Sequence, residues 1–351
     1  MRWLLAQILL LLTLGSFQMR DHLEEPSFSI KLEDGGRFDV YALKDGNGLL
    51  DGYRAHIKAP VCEDRLCYDV NVIFYWNLNG EFLRYEVLPH DPLTKMDHEP
   101  FLPEDYKKLQ SILTSQDLSF VNIPKDELVT KSDSSEVDGY TGATKLTVKK
   151  EVIEGALYTC YTLWHIANGT VVESIKSHTK NAFSKELIRK IIAQDNQTAH
   201  YFLINNLNSS QFAENLPEIL GLMTSSKGYF SKNTIEKIPK TLFSTEPLQD
   251  FIVANYQELD YYTQLAILKK LDNQRQSGSL KQFFIGHIDP KNSFQNQKLI
   301  GLVLQNIGPE EFGLLVGQLQ ATGVGVSEEN FQALQQVNEQ LKLNISMIQK
   351  L

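Results

Sequence analysis

Tyr68-Asp69-Val70-Asn71-Val72-Ile73-Phe74-Tyr75-Trp76 is the strongest strand signal in the chain. It is dense in β-branched and aromatic side chains, the types that fit a pleated, half-buried surface. Asn77-Leu78-Asn79-Gly80 follows as a turn, and Glu81 to Leu88 as its hairpin partner. Upstream, Phe28-Ser29-Ile30-Lys31-Leu32 alternates, and Phe38 to Leu43 alternates loosely. Residues from about 27 to 90 therefore read as a sheet-building half-domain. Downstream, Leu88 to Phe101 is a polar loop containing Pro89, Pro92 and Pro100, and Pro103 to Leu113 reads as a short helix with Tyr106, Leu109 and Leu113 on one face.

Strand signals fade from about residue 184, and amphipathic helices succeed one another to the end. Leu187, Ile188, Ile191 and Ile192 form one stripe; Leu216, Ile219 and Leu220 form another. Leu265, Leu268 and Leu271 follow, then Leu299, Leu302, Val303 and Ile307, then Phe312, Leu315, Val316 and Leu319. Phe331, Leu334, Val337 and Leu341 close the series. Pro217, Pro239, Pro247, Pro290 and Pro309 stand near helix starts or in linkers. Paired helices of this length suit an α-solenoid of the HEAT kind or a helical bundle. The leucine stripes are core in either case.

The chain has 351 residues with 42% hydrophobic content, enough for one large or two ordinary domains. Its net charge of −9 argues against nucleic acid and anionic membrane surfaces as partners. Residues 1–19 read as a secretion signal: Arg2 supplies the charge, Leu4 to Leu14 the apolar run, and Gly15-Ser16 small residues for cleavage. An exported, periplasmic protein is expected, with an uncleaved N-terminal membrane anchor as the alternative. In an oxidising compartment Cys62 and Cys67 are a disulfide candidate; a redox-active pair is the other reading, without the C-x-x-C spacing such pairs use. Cys160 lies in an apolar stretch and reads as a buried thiol. His90, Asp91, Asp97 and His98 have the side-chain chemistry of metal ligands, but their spacing matches no known geometry, and they read as a polar loop lining a pocket. Four N-x-[ST] sequons occur, at Asn168, Asn196, Asn208 and Asn344.

Asp138-Gly139-Tyr140-Thr141-Gly142-Ala143-Thr144 carries the functional signal. A string of the form D-x-x-[ST]-G-A-T arises in a chain of this length with a probability on the order of one in a thousand from average residue usage. Gly142 lets the backbone bend sharply and a bulky group approach. Ala143 keeps the next position small, and Thr144 supplies a hydroxyl. Asp138 and Thr141 suit a tight side-chain-to-backbone turn. A helix-like run, Lys149 to Leu157, follows, and helical spacing continues over Glu151 to Trp164, with Val152, Leu157, Tyr161 and Trp164 as its apolar stripe and His165 at its end. Asn168-Gly169 marks a turn, and Val171-Val172 reads as a short returning strand. By residue types alone, the string is also a turn that caps a helix.

The string and the helix after it resemble the FMN-binding domain family, the covalently flavinylated subunits of the sodium-pumping NADH:quinone oxidoreductase and of the Rnf complex. The resemblance is specific over about residues 136 to 166, suggestive upstream, and does not touch the C-terminal half. It implies an α+β domain over residues 27–180, and the helix stripes make residues 184–351 an all-α region. It implies FMN esterified through its phosphate to Thr144 by a flavin transferase. Asp138, Thr141, Gly142 and Ala143 would shape the modification turn, and Lys145 would neighbour the phosphate. The family carries a Thr-, Pro- and Gly-rich loop upstream that lies against the flavin. Its usual wording is absent here, and Leu93-Thr94-Lys95 is the segment at the matching distance, which makes Thr94 a candidate. The implied function is extracytoplasmic electron transfer with a redox protein or membrane reductase as partner, rather than stand-alone catalysis. The alternative is a flavin-free exported binding scaffold whose helical half docks partners.

Overall fold

The computed structural model of the chain describes residues 25–32, 35–61, 68–130, 143–144, 146–226 and 229–343. The secretion-signal reading at residues 1–19, Cys62, Cys67, Asp138, Thr141, Gly142, Lys145 and Asn344 lie outside them. An N-terminal antiparallel five-stranded sheet is followed by a largely helical region, and the contacts divide the chain into two compact units, Met1–Thr179 and Lys180–Leu351.

The sheet is a meander in chain order: β1 (Phe28–Lys31), β2 (Arg37–Lys44), β3 (Leu50–Ala59), β4 (Val70–Trp76) and β5 (Phe82–Val87). Strand alternation sends Val40, Ala55 and Phe74 to one face in register, and Ile57 and Val72 beside them. The opposite face carries the cross-strand row Tyr41–Arg54–Tyr75–Arg84, with the Arg84 guanidinium 3.7 Å from the Tyr75 ring centroid. This is the one-face-buried pattern of an antiparallel sheet. Gly80 closes the β4–β5 turn at φ +82, and a side chain there would meet Val172 at 2.9 Å.

Helices α1 (Pro103–Thr114), α2 (Leu146–Glu151), α3 (Leu157–Asn168) and α4 (Thr170–Asn181) complete the first unit. A two-stranded ribbon, β6 (Val129–Thr130) with β7 (Ala143–Thr144), precedes α2. The apolar sheet face is pinned to α3 and α4 by polar ties as well as by packing. The Trp76 indole N–H donates to the Ala167 carbonyl at 2.7 Å. The Tyr53 hydroxyl lies 2.7 Å from Thr179 Oγ1 and 3.0 Å from His178 Nδ1. Trp76, Tyr53 and Phe74 are fully buried, and side chains of this size each contribute about 1.5–3 kcal/mol by burial. Burial pushes the Tyr53 phenol up to about 12 and His178 down from its ordinary value.

Two expectations are corrected here, and one strand went unread. Val171-Val172 is not a strand: the two residues open α4, where Val171, Ile175 and Thr179 are buried at four-residue spacing. The helix expected to run continuously through Lys149 and Glu151 to Trp164 is broken between α2 and α3. Gly155 sits there at φ +73, with its would-be Cβ 3.3 Å from Lys95 Cβ. β3, the longest strand, lay unmarked in the sequence.

The second unit consists of α5 (Lys185–Ile192), α6 (Gln197–Asn206), α7 (Ser209–Glu214), α8 (Leu216–Ser225), α9 (Phe230–Lys237), α10 (Glu246–Asn255), α11 (Tyr261–Leu271), α12 (Gly278–Gly286), α13 (Ser293–Leu304), α14 (Pro309–Thr322) and α15 (Glu328–Gln340). They touch in two series. One runs α5, α8, α10, α12, α14; the other runs α6, α9, α11, α13, α15. The apolar stripes read from sequence from Leu216 onward meet in one core. Pro217, Pro247 and Pro309 occupy first-turn positions of α8, α10 and α14. Two glutamines brace successive helices in the same way. Gln249 donates to the Arg275 carbonyl at 2.7 Å and accepts from Ser277 N at 2.7 Å. Gln297 donates to the Gly325 carbonyl at 2.8 Å and accepts from Ser327 N at 2.8 Å. Ser277 and Ser327 are in turn the N-caps of α12 and α15.

Candidate functional site

The ribbon before α2 holds the backbone of the expected attachment residue. Val129 pairs with Thr144 and Thr130 with Ala143, antiparallel. Four residues after Thr144, Val148 is already in α2, where it is fully buried while Lys149 and Lys150 are exposed. At the far end of α2, Glu151 Oε2 accepts from Ser119 N at 2.8 Å and Ser119 Oγ at 2.7 Å. The segment from Ser119 to Thr130 is thus fastened at both ends to the segment from Ala143 to Glu151, and the two run antiparallel.

Between those fastenings lies a cavity of about 480 Å³ lined by Val121, Asn122, Ile123, Pro124, Lys125, Asp126 and Tyr161. Two hydrogen bonds tie its helical wall to the loop segments. The Tyr161 hydroxyl donates to the Ile123 carbonyl at 3.0 Å, and the Trp164 indole donates to the Ser115 carbonyl at 2.8 Å. Phe120, fully buried, packs against both rings. Lys125 Nζ lies 5.8 Å from the Tyr158 ring centroid. His165 is stacked on its helix neighbours, 4.2 Å from the Tyr161 ring and 5.0 Å from the Trp164 ring.

The upstream loop is a small hairpin. Thr94 bridges Pro100, Phe101 N donates to the Leu93 carbonyl at 2.8 Å, and Lys95 N donates to the Glu99 carbonyl at 2.7 Å. It docks on the break between α2 and α3 through Met96 N and the Gly155 carbonyl, 2.7 Å apart. Lys95 Nζ pairs with Asp105 Oδ2 at 2.8 Å, with both side chains largely buried. Burial works against the Asp105 carboxylate, but the Lys95 ammonium and the Leu102 N–H outweigh it and hold the carboxyl below its ordinary value. Lys108 Nζ donates to the Val152 carbonyl on the same break. Thr94 therefore sits at the base of a hairpin tied eleven residues beyond Thr144 in the chain.

The remaining sequence candidates are dispersed. Asp91 accepts from Asn71 at 2.7 Å, and the His98 ring stacks on Tyr68 at 4.3 Å. Among the described residues no group of three or more His, Cys, Asp or Glu could hold a metal ion. Cys160 is a free and fully buried thiol, which burial pushes up to about 11. Three sequon asparagines are engaged in structure. Asn168 donates to the Leu113 carbonyl, while Asn196 and Asn208 cap α6 and α7. Among the described residues no helix is long and apolar enough to cross a membrane.

Sequence reasoning marked Tyr161 only as part of an apolar helix stripe and passed over Asn122 and Lys125. The interleaved polar and apolar order of Val121-Asn122-Ile123-Pro124-Lys125, ahead of the motif, is the only local trace of them. No protein-family model, no curated protein and no solved structure matches the chain.

Proposed function

We propose that this chain is an exported flavoprotein that carries FMN on Thr144 and acts in extracytoplasmic electron transfer. The observation that carries the reading is the pairing of Thr144 with Val129, which holds the backbone of the last residue of the D-x-x-T-G-A-T string in a strand pair just ahead of α2. A tether needs a fixed anchor point, and a strand pair leading directly into α2 is one. Upstream of Val129 in the chain, Asn122, Lys125 and Asp126 border an open surface hollow and offer polar partners for such a group.

Attachment requires an activated FMN donor supplied by a flavin transferase. The Thr144 Oγ–P bond forms as the donor's phosphoanhydride bond breaks, the leaving phosphate takes the bonding electrons, and the hydroxyl proton passes to water. When bound, the flavin would accept or give one or two electrons, from a redox protein or membrane reductase to a second partner. The protein's part is to tether and orient it and to tune its potential. The test is in-gel fluorescence of denatured protein coexpressed with a flavin transferase. Wild type is expected to glow and Thr144→Ala to be dark; denaturation-stable flavin in Thr144→Ala would contradict the reading.

For the helical unit, the two series of next-but-one contacts favour a HEAT-like solenoid over a closed bundle. In a solenoid each layer depends on its neighbours alone. Hydrogen exchange in Gln297→Ala separates the two architectures: protection loss confined to α13–α15 is expected, whereas loss reaching α8 and α9 would favour the bundle.

A further inference from the structure

We propose that the outer face of α9, α11 and α13 docks a proline-rich peptide in the polyproline II conformation, on a strip of rings formed by Tyr229, Tyr261, Tyr262 and Phe294. The proposal goes beyond the flavin reading and stands independently of it.

Core packing does not account for these rings. The inward faces of the three helices supply Ile235, Ile267, Leu268, Leu299 and Val303 to the core. Among the described residues, five large apolar side chains of the helical unit are exposed, and four of them are here, the fifth being Leu314. Each stands at the start of its helix: Tyr229 is the N-cap of α9, Tyr261 and Tyr262 open α11, and Phe294 is the second residue of α13. The helices run parallel and in step. Lys270, near the end of α11, donates to the Glu236 and Ile238 carbonyls at the end of α9, at 2.8 and 2.7 Å. Eight residues back from Lys270 and from Lys237 stand Tyr262 and Tyr229, within about a turn of one level. Gln295 donates to Gln264 Oε1 at 2.9 Å across the first turns of α13 and α11, and Gln305 donates to Asp272 Oδ1 at 2.9 Å between their C-caps. The Tyr261 ring centroid accordingly lies 5.8 Å from that of Tyr262 and 6.4 Å from that of Phe294.

Spacing, area and charge select the occupant. Neighbouring helix axes lie about 8–10 Å apart, so the rings recur at that interval along the strip. A polyproline II helix turns once in three residues, about 9 Å, and presents the same side at each turn. Its backbone makes no internal hydrogen bonds, and three of the four rings carry hydroxyls that can donate to its carbonyls. The rings are between 46% and 69% exposed, roughly 450 Å² together. That falls short of the about 800 Å² a side of a stable dimer and suits a short peptide. The charges on the strip are few. Lys232 pairs with Glu236 at 2.7 Å, the Asp260 carboxylate caps α11, and Lys298 Nζ stands 5.6 Å from the Phe294 ring centroid. An uncharged peptide with one acidic residue at its Lys298 end complements them.

The test is fluorescence anisotropy of the full chain with a labelled peptide of about twelve residues, proline at every third position and glutamate at one end. Saturable binding is expected. It should weaken about ten-fold in Tyr262→Ala and in Phe294→Ala, while Tyr68→Ala, at an exposed tyrosine of the sheet unit, leaves it unchanged. Lys298→Glu should reverse the preference between glutamate-ended and lysine-ended peptides. All four substituted side chains are exposed, so the fold is retained. No binding, equal binding of a scrambled peptide of the same composition, or an affinity that none of the strip variants moves would overturn the proposal. A dimer in sedimentation that Phe294→Ala disperses would overturn it in favour of a second copy of the chain.

Discussion

The two units use polar side chains in opposite ways. In the sheet unit each is used once and at long range: Tyr53 reaches His178 and Thr179, Trp76 reaches Ala167, and Ser119 reaches Glu151. In the helical unit the same arrangement recurs, with Gln249 and Gln297 bracing one inter-helix loop each and Ser277 and Ser327 capping the helix that follows. Unrepeated ties fix single points between segments far apart in the chain, whereas the recurrent ones repeat a local brace along the helical unit.

The largest expected effect falls on the unrepeated ties. Trp76→Ala removes a fully buried indole and its hydrogen bond to Ala167, and should cost about 3–5 kcal/mol in denaturant unfolding of the sheet unit. A cost below about 1 kcal/mol would mean that α3 is not anchored through Trp76. The glutamine braces come next. Gln249→Ala and Gln297→Ala each strand a backbone N–H and a carbonyl, at about 1–3 kcal/mol apiece. Equal costs would support their equivalence; a large cost at one and none at the other would break the comparison.

The smallest effect is a pH dependence. The Asp105 carboxyl sits below its ordinary value in the folded chain, so its contribution is complete above the normal aspartate range. That contribution is lost as pH falls through the folded value. Wild type should therefore lose thermal stability on acidification more steeply than Asp105→Asn. Parallel acid limbs would show that the Lys95–Asp105 pair does not latch the hairpin.

Much of this fold was legible because its signals are local. The alternation over Tyr68–Trp76, the Asn77–Gly80 turn and the helix from Pro103 needed only neighbouring residues. Most stripe residues from Leu187 to Leu319 are buried as read, with Leu265 half-covered and Ile267 taking the core position beside it. β3 escaped because the register slips between Leu43 and Lys44, which breaks the alternation of Leu50, Gly52 and Tyr53, and because its inward positions include the small Ala55 and Ala59. α4 escaped because Asn168-Gly169 advertises a turn and Val171-Val172 a strand, while the helical spacing shows only once Ile175 and Thr179 are counted. The cavity was not legible at all. Its floor and wall meet through ties such as the Tyr161–Ile123 bond, 38 residues apart in the chain, and the Phe120 contact.

The central claim is that Thr144 is an attachment site, and intact mass of the denatured protein from flavinylating cells tests it most directly. The account predicts an addition equal to FMN less water, mapped to the peptide containing Thr144 and absent from Thr144→Ala. An unmodified chain, or an addition that persists in Thr144→Ala, would contradict it.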